Sequence, residues 1–124
     1  MPKPKIPAAH VRVKRAYEAA DAADGTRILV DRLWPRGISK QEAAPDEWMK
    51  DIAPSTALRQ WFAQEPSRWA EFQRRYKAEL RAHAAELERL RDIAAKGTLT
   101  LVYGARDEER NDAVVLRDVL LHDR

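Results

Sequence analysis

Apolar positions change their period several times along the chain, and each change marks an element. Val11 and Val13 alternate with Arg12 and Lys14, which predicts a strand with one wet face over residues 10–17. Residues 18–24 are alanine-rich and end at Asp24-Gly25, a turn signal, so a loop or hairpin-like excursion is expected there. A tight turn would make the first two strands antiparallel, whereas the alanine segment also suits a short crossover, and the pattern leaves both open. Ile28-Leu29-Val30 is a short branched run of the kind that forms a buried strand. Ser39 with Glu42 three residues later is a capping box for a short helix that Pro45 stops. Met49 to Ile52 alternates apolar and charged residues, suggesting a short strand over 48–52 that Ala53-Pro54-Ser55 breaks.

Ser55 reads as the N-cap of the next helix, whose Leu58, Trp61 and Phe62 fall at i, i+3 and i+4. From Pro66 onward, Trp69, Phe72, Tyr76, Leu80, His83, Leu87, Leu90 and Ala94 recur in steps of three or four. That period predicts one long amphipathic helix over about 66–96, with Gly97 as its C-cap. Residues 98–103 are near-continuously apolar, as expected for a central strand covered on both faces and paired with the strand at 28–30. Asn111 or Asp112 can cap a last helix so rich in Val and Leu that it must pack on the sheet. The fold class is therefore α/β: a small single domain over residues 10–124, with a central, mostly parallel sheet of three to four strands packed by helices. The prolines and lysines of residues 1–9 predict a mobile basic tail.

Composition narrows the function classes. The 23 basic and 20 acidic residues leave a net charge of only +3, too small an excess to steer a polyanion strongly. Nucleic acid is permitted rather than indicated. The absence of cysteine excludes disulfides, thiolate metal sites and a Cys nucleophile, and the three histidines have no ligand spacing, so no metal or cofactor is indicated. No apolar run approaches the ~18 residues of a membrane span and the N-terminus lacks a signal-peptide core, so cytoplasmic residence without membrane contact is the expectation.

The candidate chemistry lies where the strands end. In an open α/β sheet ligands sit beyond the carboxyl ends of the strands. There the strand at 28–30 opens into Asp31-Arg32-Leu33-Trp34-Pro35-Arg36-Gly37, and the strand at 98–103 into Gly104 through Asn111. Parallel neighbours would bring both loops to one edge, with the last helix pointing its N-terminus at them, a setting suited to phosphate or carboxylate. Ligand-binding candidates are Arg32, Trp34, Arg36, Gly37, Lys50, Ser55, Tyr103, Arg106 and Asn111. Asp31 and Asp107 are the acid/base candidates if both face one cavity. The competing reading is a salt-bridge network in which Asp31 and Arg32 pair with Arg106 and Asp107 to fasten the loops. Ser55 beside Lys50 can be read as nucleophile and base, but an N-cap explains Ser55 more simply. Trp61 and Trp69 lie on apolar helix faces and belong to the core, whereas Trp34, between two arginines, is the tryptophan placed to stack on a ligand. The charges on the long helix, seven basic and five acidic, read as a solvated face of i,i+4 pairs.

With these residues in view, the chain resembles the YeaO-like family, a bacterial family of unknown function. The likeness rests on the run from Ile28 to Gly37, on Trp48 with Lys50 and Ala53-Pro54-Ser55, and on Leu58-Arg59 with Trp61-Phe62. It continues through Trp69, Phe72, Tyr76 and Glu79-Leu80 to Leu99–Tyr103, Asp107, Asn111, Ala113 and Leu116. It implies a small α/β domain and carries no established activity, so no catalytic role follows from it. Gly104 stands where a small residue is expected and Arg106 where a variable one is. The expectation is a binder of an anionic or phosphate-bearing small molecule at the strand edge, with an enzyme acting on that molecule left open; the alternatives are a nucleic-acid-associated regulator using the basic tail and Arg-rich helix, and a protein-interaction module.

Overall fold

A computed structural model describes residues 6–122. Four strands, β1 (Val11–Arg15), β2 (Thr26–Leu29), β3 (Glu47–Trp48) and β4 (Leu99–Tyr103), form one sheet in the order β1-β4-β2-β3, every neighbouring pair parallel. The open question of the first strand is thereby answered. β1 and β2 do not pair with each other; both run parallel to β4, which lies between them. Residues 16–25 must therefore carry the chain back across the sheet, and they end in a 3-10 turn at Ala22–Asp24. Gly25 follows with φ 62, and a Cβ there would lie 2.3 Å from the Thr98 carbonyl oxygen, so only glycine fits.

β4 is buried along its whole length, as its apolar run predicts. Side chains alternate across the sheet. Val11, Ile28, Leu99, Leu101 and Tyr103 join the main core, while Leu29 and Val102 form a smaller cluster on the opposite face with Ala16, Trp34 and Trp48.

The main core is closed by α2 (Thr56–Gln64), α3 (Trp69–Leu80), α4 (Ala84–Lys96) and α5 (Asp112–His122); a one-turn helix, α1 (Lys40–Ala43), sits apart in the β2–β3 connection. Ser39 and Glu42 make the expected capping box on α1. The helical stretch expected over about 66–96 is present from Pro66 to Lys96, tightened into 3-10 turns at Pro66–Arg68 and Arg81–His83. Its inward residues Phe72, Tyr76, Leu80, Leu87, Leu90 and Ala94 are buried.

The strand expected over 48–52 is shorter and displaced. Only Glu47 and Trp48 pair with β2, and Lys50–Ile52 winds into a 3-10 turn. The reason is burial: Met49 and Ile52 both enter the core while Lys50 and Asp51 stay outside, a spacing of three that suits a 3-10 turn and not a strand. Of the tail expected over residues 1–9, residues 1–5 lie outside the described part. Ile6 is buried in the core, and Arg117 donates to the carbonyls of Ala8 and Val11. Among the described residues no helix is long and apolar enough to cross a membrane.

Candidate functional site

β2 and β4 are level at their carboxyl ends: Leu29 is opposite Val102, and the Val30 N–H donates to the Val102 carbonyl at 3.0 Å. The chain leaves both at one edge, through Asp31 and Gly104. The Gly104 N–H donates to Asp31 Oδ2 at 2.8 Å. A Cβ at residue 104 would lie 3.2 Å from that oxygen and 3.5 Å from Pro35 Cβ, which accounts for a small residue there.

α5 begins opposite this edge. Asn111 is its cap, since its Oδ1 accepts the Val114 N–H at 2.9 Å and its Nδ2 donates to the Asp107 carbonyl. Asp112 is left out of that cap; its Oδ1 accepts the Ala113 N–H at 2.9 Å, and the side chain lines a cavity with Asp31. Both carboxyl groups line this same cavity, and each acts on the ionisation of the other. Two neighbouring carboxylates repel, which disfavours ionising both. Burial, then the charge of Asp31 and the hydrogen bond with it, push Asp112 well above the ordinary carboxylate range. Burial raises Asp31 as well, against the opposing effects of the Asp112 hydrogen bond, the Gly104 N–H and the Arg59 charge. The two titrations are linked, and both are pushed upward. Tyr76 lies fully buried and donates to the Ile52 carbonyl at 2.7 Å; burial and the nearby charges of Asp112 and Asp31 hold its hydroxyl well above the usual tyrosine range.

The pair opens into a cavity of about 270 Å³. Arg32, Arg59 and Arg110 supply its cationic wall, and Phe62 and Phe72, stacked with centroids 4.5 Å apart, supply an aromatic surface. Arg32 is committed: its Nε donates to the Pro54 carbonyl and its Nη2 to that of Ala53, both at 3.3 Å. Arg110 pairs loosely with Asp107 at 3.6 Å, both side chains about half exposed. The exposed Arg59 guanidinium has no side-chain hydrogen bond or ion pair among the described residues, and its charge acts on Asp31.

Of the residues singled out from sequence, Asp31, Arg32 and Asn111 line the cavity. The others do not. Trp34 packs edge-on against Trp48 at 5.4 Å on the opposite face of the sheet and donates to the Ile38 carbonyl, so it is a core tryptophan and not a stacking platform. Lys50 sits over the Trp48 ring at 4.1 Å. Ser55 caps α2 and donates to Glu79 Oε2 at 2.7 Å, far from any pairing with Lys50. Tyr103 is buried in the main core, Arg36 and Gly37 are exposed in the turn after Pro35, and Arg106 is exposed. Asp107 is the main correction: its Oδ1 accepts the N–H groups of Glu109 and Arg110, which lower its pKa, so the carboxylate holds its own loop and does not face the cavity. The proposed network of Asp31 and Arg32 with Arg106 and Asp107 does not form either, because Asp31 bonds Gly104 while Arg32 bonds backbone. Arg59, Arg110 and Asp112 were missed. The adjacent Asn111 and Asp112 were the available signal: only one residue can cap, and the other is left to point elsewhere.

The charged face of the long helix is largely paired, Arg75 with Glu71 at 3.0 Å, Lys77 with Asp118 at 2.8 Å, Arg91 with Glu88 at 2.9 Å, and Arg89 with Glu47.

Comparison with known proteins supplies family but no activity. A family model described as the inactive DUF488-N3 subclade matches residues 10–124. The uncharacterized protein YeaO of Escherichia coli strain K12 is 51% identical over 111 residues, covering 90% of this chain and 96% of that protein. The uncharacterized protein Rv3073c of Mycobacterium tuberculosis strain H37Rv is 44% identical over 110 residues, covering 89% of this chain and 92% of its own length. No solved structure shows significant similarity to the chain.

Proposed function

This chain belongs to the inactive DUF488-N3 subclade, and from that premise we propose that its strand-edge cavity binds an anionic small molecule without turning it over. The observation that carries this reading is Arg59: a guanidinium at the cavity wall that no carboxylate of the described residues pairs, with Arg110 held only by a long, exposed contact and Arg32 fixed behind them. Guanidinium groups suit phosphate and carboxylate because their planar forks match two oxygens at once. The lining is partly apolar, with Leu33, Ala53, Pro54, Phe62 and Phe72 beside those charges. The description of the family as inactive fits retention of a binding site in the absence of a reaction. Isothermal titration with inorganic phosphate and with simple phosphate esters tests the reading. Binding by the wild type that weakens at least tenfold in Arg59→Ala and in Arg110→Ala supports it; failure of every anion to bind at millimolar concentration refutes it.

A further inference from the structure

An anion held by Arg59 gives the Asp31–Asp112 pair no task, since a carboxylate pair in the wall of an anion site repels the occupant. The pair stands where the two strand ends meet α5, and every other polar group around it is either a donor or already engaged. Arginine donates and cannot accept. The carbonyls of Ala53 and Pro54 are taken by Arg32, and Asn111 Oδ1 by the Val114 N–H. Asp31 Oδ2 accepts the Gly104 N–H and Asp112 Oδ1 the Ala113 N–H, so the carboxyl oxygens without a backbone donor are Asp31 Oδ1 and Asp112 Oδ2. Whatever they receive must donate hydrogen bonds while carrying no positive charge, because three arginines line the same space.

We infer that the Asp31–Asp112 pair recognises hydroxyl groups, so that the ligand is a hydroxylated anion of the sugar-phosphate class, its phosphate at Arg59 and Arg110 and its hydroxyls on the pair. This rests on the anion reading above. A hydroxyl donates to a carboxyl oxygen whether or not the partner carboxyl is protonated, and one oxygen of each aspartate has no backbone donor. Two neighbouring hydroxyls can meet two carboxyl oxygens together. Phe62, partly buried in the cavity wall and stacked on the buried Phe72, supplies an apolar surface for the C–H side of a sugar ring, and the cavity, at about 270 Å³, is on the scale of one such molecule. Burial, the largest cause for both, disfavours the charged form of Asp31 and of Asp112, in keeping with a pair turned toward neutral hydroxyls.

The test is calorimetric titration of the full chain at pH 7 with ribose 5-phosphate, with propyl phosphate, which has the phosphate but no hydroxyls, and with ribose, which has the hydroxyls but no phosphate. Wild type is expected to bind ribose 5-phosphate at least tenfold tighter than propyl phosphate. Asp112→Ala, which removes the carboxyl oxygens, is expected to erase that preference while leaving propyl phosphate bound as well or better; Asp31→Ala serves the same purpose should Asp112→Ala fail to fold by circular dichroism. Equal affinity for the two phosphates, or a preference that survives both substitutions, overturns the inference. If propyl phosphate binds and responds to Arg59→Ala but no preference exists, the anion reading stands and the hydroxyl inference falls. If ribose alone binds, responds to Asp112→Ala and ignores Arg59→Ala, the anion reading falls and hydroxyl recognition by the pair stands. No binding of any of the three refutes both.

Discussion

Asp24 and Arg27 form a buried ion pair at the opposite end of the sheet from the cavity, and their asymmetry makes a quantitative prediction. Asp24 has no exposed surface, and its carboxylate meets Arg27 Nη1 at 2.6 Å, Lys14 Nζ at 3.1 Å, Arg12 Nη1 at 3.6 Å and the Asp21 N–H at 3.0 Å. Arg27, 4% exposed, also donates to the carbonyls of Ala43 at 2.5 Å and Ala44 at 3.1 Å. Asp24→Ala leaves Arg27 and Lys14 facing each other without a counter-charge. Removing one partner of a buried pair costs about 3–5 kcal/mol. Arg12, nearly half exposed, shows that solvent is one layer away, which places this case at the low end, about 3 kcal/mol. Arg27→Leu is milder. The carboxylate keeps Lys14 and the Asp21 N–H, so the loss is the donors to two carbonyls, offset in part by the apolar side chain: about 2 kcal/mol. Urea denaturation of both single variants and the double variant reads these values. The double variant is expected to fall short of the sum by at least about 1 kcal/mol, because the two side chains share one contact. A larger loss for Arg27→Leu than for Asp24→Ala, or strict additivity, would refute the reasoning. The pH response has a definite sign. Burial opposes ionisation of Asp24, but the Asp21 N–H, Lys14 and Arg27 outweigh it and lower its pKa below the ordinary 3.8. Its contribution is therefore complete above about that pH and lost as pH falls through the lower folded-state value.

The carboxyl pair predicts the reverse. With Asp31 and Asp112 raised in the folded protein, the native state binds more protons than the unfolded one just above pH 3.8, so stability falls as pH rises from there through the folded-state range; chemical denaturation between pH 4 and 8 should show Asp112→Asn removing that decline and being the more stable protein at pH 7. Ser55→Ala loses the α2 cap and the bond to Glu79, and is expected to cost about 2 kcal/mol; a loss under half that in thermal or urea unfolding would mean the Glu79 contact contributes nothing. Gly25→Ala combines a left-handed backbone with a Cβ driven against the Thr98 carbonyl, for roughly 2–4 kcal/mol by the same measurement, and an unchanged midpoint would contradict the tight approach of the two segments.

Local chemistry in the sequence was legible wherever one residue answers to its near neighbours. The capping box at Ser39 and Glu42, the inward stripe from Phe72 to Ala94 and the apolar run of β4 all depend on contacts or periods within a few residues, and all are present as read. The candidate edge was found for the same reason, since Asp31 follows β2 directly. Side-chain direction across the sheet was not legible. Trp34, in the turn after β2, folds back to the face opposite the cavity, and nothing in the order Arg-Leu-Trp-Pro-Arg states which face that is. Asp107 and Asp112 are interchangeable in composition; the loop's own N–H groups claim one, and the capping by Asn111 releases the other. Arg59, on an exposed turn of α2, reaches the cavity only through packing between segments distant in sequence.

The order of the strands constrains how the chain is made. β4, near the end of the sequence, lies in the middle of the sheet, so β1 has no partner until residues 99–103 have left the ribosome and entered between β1 and β2. Before that insertion β2 has only the two residues of β3 beside it, and the exposed apolar edges of β1 and β2 are open to pairing with other chains. The bond from Gly104 to Asp31 spans 73 residues and closes with the same event. The part of the cavity wall built from residues 31–72 makes its own contacts before β4, and the Asp31–Gly104 edge and the Asp112 wall are completed only with β4 and α5.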